Sequence, residues 1–225
     1  MFADICFPNC NEDEFIKAAK QLGTPALVMA YPDPPAVQPR IEGIEVFFAR
    51  LAKGSVRGNP DLAIAPASDD TQALLRRGRI DIVSGLEFER RGDFVHHRSS
   101  GLNQVIASLA RDKGALIGFD FGAILPLRPH EQARILGRIA QNIELCTKFK
   151  VEMAIASFAR SPLGLRAAHD LASLFRLLGM DAESVKQSLA NVYSRAKDNR
   201  ERREGKIIGK GVREVEDDRQ DQGSP

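Results

Sequence analysis

The chain has 225 residues and a mass of 24.7 kDa, enough for one full-sized domain or a domain with a tail. With 43% hydrophobic and 28% charged residues it can bury a core, which excludes a wholly disordered chain, and no apolar run reaches the roughly 18 to 20 residues of a membrane span. Thirty-two basic residues against 30 acidic ones leave a net charge of +2, so a nucleic-acid role has to come from local clustering.

Residues 2–7 read as a first strand. It carries Asp4 and no basic flank, which argues against a secretory signal. Cys6 and Cys10 lack a second thiol pair, so core plus loop is expected there rather than a zinc site. With Cys146 the only other cysteine, no disulfide framework is possible and a cytoplasmic location is expected. A helix follows at 11–22, a strand at 26–31, and a proline-rich loop at 32–39. Strands at 44–48, 62–65 and 80–84 come next, with a helix at 70–77 between the last two. Helix 100–113, strand 115–119, helix 129–149, strand 151–156 and helix 167–178 complete the alternation. In helix 129–149, Pro129 suits the first helical position, and Ile135, Ile139, Ile143 and Cys146 form the buried stripe. Arg134, Arg138, Gln141 and Lys148 share another face, expected to be solvated. A last amphipathic helix is expected at 182–196, with Val185, Leu189 and Val192 inward.

After Arg195 the composition changes. Residues 195–213 hold eight basic side chains against three acidic ones, and 214–221 reverse the sign with five acids and one arginine. The expected organisation is a barrel domain over 1–197 and a charged, flexible tail over 198–225, with helix continuing past Arg195 for a turn or two at most.

The strands are continuous apolar runs, suited to burial on both faces, and they alternate with helices. That pattern predicts an α/β fold with a parallel sheet. Because about 195 residues are slightly few for an eight-stranded barrel, an irregular or incomplete barrel is the first choice and an open doubly wound sheet the second. Loops after the strand ends then share one face: 8–11, 84–87, 120–122 and 157–162.

On that face no nucleophile elbow, P-loop or dinucleotide fingerprint is present. The histidines, His96, His97, His130 and His169, are too few and too scattered for a multi-metal centre. Anion binding is better represented. Arg98 precedes Ser99 and Ser100, candidate caps of the next helix, and Arg160 leads into Ser161-Pro162 with Arg166 just beyond. Residues 76–98 hold six arginines against four acids. With no Trp and two Tyr, backbone recognition is favoured over base stacking. Three readings stand open: an RNA-binding subunit, a degenerate barrel phosphoesterase or nuclease, and a sugar-phosphate-binding barrel.

Residues 80–87 (IDIVSGLE), 96–104 (HHRSSGLNQ), Gln141-Asn142 and 155–162 (IASFARSP), with the opening 2–9 (FADICFPN), resemble the archaeal ribonuclease P protein component 3 family. That family is homologous to the 30-kDa subunit of the eukaryotic enzyme. The resemblance implies an irregular TIM-barrel-like fold related to metal-dependent phosphoesterases. It also implies a subunit of the ribonucleoprotein that removes 5′ leaders from precursor tRNA, with the RNA and its Mg²⁺ carrying the chemistry. No cofactor is then bound by this chain. Its implied partners are the ribonuclease P RNA, a small RRM-like protein subunit, other ribonuclease P proteins, and precursor tRNA through the complex. Asp4-Ile5-Cys6 stands where the metalloenzyme relatives carry a His-x-His pair, so no catalytic residue is expected. The expected RNA contacts are Arg98, Arg160, Arg166, His97 and Arg138, and the basic half of the tail is a further candidate.

Overall fold

The computed structural model describes residues 1–34, 43–52, 58–89, 92–93, 98–209 and 212–213. Seven strands form one parallel sheet in sequential order: β1 (Ala3–Cys6), β2 (Ala26–Tyr31), β3 (Glu45–Leu51), β4 (Leu62–Pro66), β5 (Ile82–Ser84), β6 (Leu116–Asp120) and β7 (Met153–Ala156). Its edges meet. Phe7 N donates to Ala159 O at 2.9 Å and Ala159 N donates to Ile5 O at 2.9 Å, a single parallel bridge that nearly closes the sheet into a barrel. The open sheet is thereby set aside in favour of the irregular barrel.

Alternate residues of the strands build the interior. Ala3, Ala26, Ala30, Ala49, Ala154 and Ala156 share it with Ile5, Val28, Phe47, Ile64 and Leu116. So many alanines fit the narrow bore of a seven-stranded barrel. The opposite alternation packs against α1 (Glu12–Gln21) on one side and α2 (Thr71–Arg77), α3 (Gln104–Lys113), α4 (Pro129–Phe149) and α5 (Ala168–Leu177) on the other. Among the described residues no helix joins β2 to β3 or β3 to β4.

The last helix, α6 (Ala182–Arg203), lies across the end of the barrel where the strands begin. Val192 and Ala196 enter the interior cluster, and Asn191 Nδ2 donates to Met153 O at 2.9 Å. Its final turn is anchored on Asp61, a fully buried acid just before β4. Arg200 Nη2 and Arg203 Nη2 each lie 2.9 Å from that carboxylate, and the Arg200 guanidinium covers the Phe47 ring at 4.1 Å. The helix therefore runs two turns past Arg195, and its anchor lies beyond the expected domain limit at residue 197. Two short antiparallel strands, β8 (Ile207–Gly209) and β9 (Val212–Arg213), follow it. The acidic end of the expected tail, 214–225, lies outside the described residues.

Candidate nucleic-acid interface

At the opposite end, where the strands finish, Phe158 decides the shape of the rim. It adopts a positive φ of 49°, a conformation costly for a non-glycine residue, and places its ring in the barrel mouth. Gly118 makes room for it: a Cβ there would sit 2.9 Å from Phe158 Cζ and 2.8 Å from Ile82 Cγ2. Three of the four loops expected to be neighbours meet, and the fourth, 8–11, follows directly on Phe7 beside them. Gly122 N donates to Ser157 O at 2.7 Å, Asp120 N donates to Glu87 Oε1 at 2.8 Å, and Arg160 lies over the Phe7 ring at 5.3 Å.

Arg160 makes a two-pronged ion pair with Asp120, Nη1 to Oδ1 at 2.9 Å and Nη2 to Oδ2 at 2.7 Å. Its side chain is still 53% exposed, and the Asp120 carboxylate holds the guanidinium protonated more firmly than usual. Arg166 is partly exposed and folds back on its own loop. Its Nη1 donates to Leu163 O and Leu165 O at 2.8 Å each, its guanidinium lies 5.7 Å from the centre of the Phe121 ring, and among the described residues it makes no ion pair with a carboxylate. Arg98 is exposed and lies against α4, its guanidinium filling the space a Cβ would take at Gly137. These three arginines thus occupy the strand-end side of the barrel.

Several expectations fail at this rim. Arg138 is fully buried, so it presents no surface to a nucleic acid. Its Nε pairs with Asp93 at 2.7 Å and its Nη1 donates to Glu87 O at 2.9 Å, because α4 buries a second face on which Asn142 is also enclosed. Burial pushes the Asp93 carboxyl up, but the Ser99 N–H, Arg138 and Arg98 outweigh it and hold it below its ordinary range. Ser99 and Ser100 do not cap α3. The helix begins at Gln104, and Asn103 caps it by accepting from Ile106 N at 2.9 Å. Ser161 makes no capping bond either, and the turn after it is a three-residue 3₁₀ segment, Pro162–Gly164. Arginine side chains, rather than helix N-termini, supply the positive charge here. His96 and His97 lie outside the described residues.

Sequence reasoning missed the buried acids. Asp4 sits in the seam between β1 and β7, where Oδ1 accepts from Ile5 N at 2.9 Å and Ser157 N at 2.5 Å; burial raises its pKa to about 6. Glu87 is also fully buried, and burial raises its pKa to about 7. An acid closing an apolar strand, as in 116–120, was the available signal for Asp120. Glu87 was legible as part of the loop 84–87, but nothing in the sequence marked its burial.

These acids do not compose a metal centre. Asp4 is engaged by backbone N–H groups, and Cys6 is buried on the α1 side of β1, away from the barrel interior. Among the described residues no group of three or more His, Cys, Asp or Glu side chains is placed to hold an ion. The donor set of a metal-dependent phosphoesterase is therefore not assembled by these side chains. Cys10 is exposed and all three cysteines are free.

A parallel, nearly closed seven-stranded barrel carrying arginines at its strand-end side is the class of fold these features define. An amidohydrolase crystal structure matches over 89% of this chain and 74% of its own, with a TM-score of 0.52 and 11% identity. A chain in an archaeal ribonuclease P with mature tRNA, solved by cryo-EM, fits better in shape. It has a TM-score of 0.75 at 17% identity, covering 97% of this chain and 100% of that one. Ribonuclease P protein component 3 of Methanosarcina acetivorans is 29% identical over 174 residues, 72% of this chain and 70% of that protein. The family model for RNase P subunit p30 matches residues 61–205, from the buried acid Asp61 to just past the end of α6. The chain belongs to that family, and it is a protein subunit of ribonuclease P.

Proposed function

We propose that the chain works as an RNA- and protein-binding subunit with no catalytic centre of its own. In this reading the ribonuclease P RNA, with its Mg²⁺, removes the 5′ leader of precursor tRNA. This chain supports that RNA together with a small RRM-like protein subunit and the other ribonuclease P proteins, in the cytoplasm. The observation that carries the proposal is the rim: Arg98, Arg160 and Arg166 reach one side of the barrel in a family named for the ribonucleoprotein. Among the described residues no helix is long and apolar enough to cross a membrane.

The three arginines differ in how freely their charge can be offered. Arg98 and Arg166 make no ion pair among the described residues, although Arg98 acts at longer range on Asp93, whereas Arg160 is already matched by Asp120. Each phosphate contact contributes roughly 0.7 to 0.9 to the slope of log K against log salt concentration. Arg98→Ala and Arg166→Ala are expected to weaken binding of a ribonuclease P RNA transcript and flatten that slope by about this amount. Arg160→Ala is expected to flatten it less. Fluorescence titrations at several salt concentrations check this, and unchanged affinity and slope in all three variants would reject the rim as an RNA surface.

A further inference from the structure

The base of the barrel, far from the rim, holds a second concentration of positive charge. There a cleft of about 620 Å³ lies between the start of β4, the turn into β5, and the second half of α6. Three stretches of sequence feed it. Arg79 comes from the connection between α2 and β5, and Lys113 from the end of α3. Arg195, Asn199 and Arg202 come from one stripe of α6, at the i, i+4, i+7 spacing of a single helical face. Connections that lead into barrel strands all lie at this end, which is why residues so distant in sequence converge.

Among the described residues, three of the five cations lining the cleft make no ion pair. Arg203 is committed to Asp61 at 2.9 Å, and Arg195 lies 3.7 Å from Asp81 and 3.6 Å from Glu152. Asp81, the acid that lines the cleft, is occupied twice over: it accepts from Ala63 N at 2.8 Å and from Asn199 Nδ2 at 3.1 Å. Arg79, Lys113 and Arg202 are exposed, and among the described residues none of them makes an ion pair, although Arg202 acts at longer range on the Asp81 carboxyl and favours its charged form. Three cations that make no ion pair among the described residues, on the walls of one concave site, repel each other, and the arrangement is relieved when anions enter.

We propose that this cleft binds the phosphodiester backbone of an RNA strand, so that the protein grips RNA at two opposite ends of its barrel. The lining selects that ligand. Among the described residues no aromatic side chain lines the cleft, so they offer no platform for stacking a base or a nucleoside ring. Its cations are spread over three segments, an arrangement matched to successive phosphates along a strand rather than to one small anion. Gly58, at a φ of +75°, and Gly78 add no side chain to the wall, which leaves the backbone of a strand free to approach. Gripping at two ends rests on the proposed role of the rim, whereas RNA binding by the cleft itself does not, since no residue is shared.

Replacing Arg79, Lys113 and Arg202 together by Gln tests it in the full chain, because among the described residues none of the three makes an ion pair that the fold would lose. Binding of a labelled ribonuclease P RNA transcript is measured across salt concentrations for the parent, this triple variant, and a control carrying Lys17→Gln, Lys20→Gln and Lys148→Gln. The expected result is binding roughly tenfold weaker or more, with the salt slope reduced by about two units, for the cleft triple alone. Parent-like affinity and slope in the cleft triple would overturn the proposal, as would equal losses in the control, which would trace the effect to net charge. Inorganic pyrophosphate, titrated by calorimetry, separates the remaining source of phosphate. If the cleft triple loses pyrophosphate binding while RNA binding is unchanged, the site serves a small phosphate compound and the RNA assignment falls. Rim variants measured in parallel keep the two surfaces apart, since either can fail while the other stands.

Discussion

At Glu87, a carboxyl with no exposed surface, burial raises the pKa to about 7, against an ordinary value of 4.5. Between those values the native state binds a proton that the unfolded chain has released, so the contribution of this group to stability is fully present below the ordinary value and is lost as pH rises through about 7. The cost of ionising this group in place is on the order of 3 kcal/mol above that window. Glu87→Gln keeps an acceptor for the Asp120 N–H and removes the titration. It is expected to gain on the parent steadily from about pH 4.5 to pH 7, by denaturant unfolding at a series of pH values. Parallel stability curves for the two proteins would contradict the assignment. Glu87 also illustrates what a sequence withholds. The loop 84–87 was legible as part of the rim, but burial of its acid depends on α4 packing over it, and Arg138 was misplaced for the same reason. A charged residue on a helix reads as solvated until a second neighbour covers its face.

Among the elements, α6 departs most from its appearance in the sequence. Its composition after Arg195 looks like a charged tail, yet Arg200 and Arg203 converge on Asp61, more than 130 residues earlier in the chain. Asp61 accepts from Phe48 N at 2.9 Å as well, so the buried carboxylate ties β3, β4 and α6 together. Removing one partner of a buried ion pair leaves the other uncompensated, at a cost of about 3–5 kcal/mol. Asp61→Ala is expected to destabilise the fold by that amount. Glu204→Ala, at a surface pair with Lys206 whose side chains are both exposed, should cost less than about 1 kcal/mol. Urea unfolding separates the two, and a cost at Asp61 no larger than that at Glu204 would remove the anchor. The strands and α4 were legible because their apolar runs report burial directly, whereas a long-range pairing of charges leaves no local pattern. The start of α3 was misread because Ser99, Ser100 and Asn103 are all chemically competent caps, and the chain uses the last.

For the whole molecule, charge is distributed by end rather than by total. A net charge of +2 conceals an arginine-bearing rim where the strands finish and a basic cleft where they begin, with an apolar, alanine-rich interior between them. Neither end brings together, among the described residues, the donors of a metal centre. A barrel built this way suits holding and compacting RNA, since offsetting phosphate repulsion favours the folded form of a polyanion. The most direct measurement is cleavage of precursor tRNA in a mixture reconstituted from the ribonuclease P RNA and the other protein subunits, with and without this chain, over a range of Mg²⁺ concentrations. The account predicts no cleavage by the chain alone, and faster cleavage or a lower Mg²⁺ requirement when it is added to the mixture. Identical cleavage with and without it at every Mg²⁺ concentration, or metal-dependent cleavage by the purified chain alone, would contradict it.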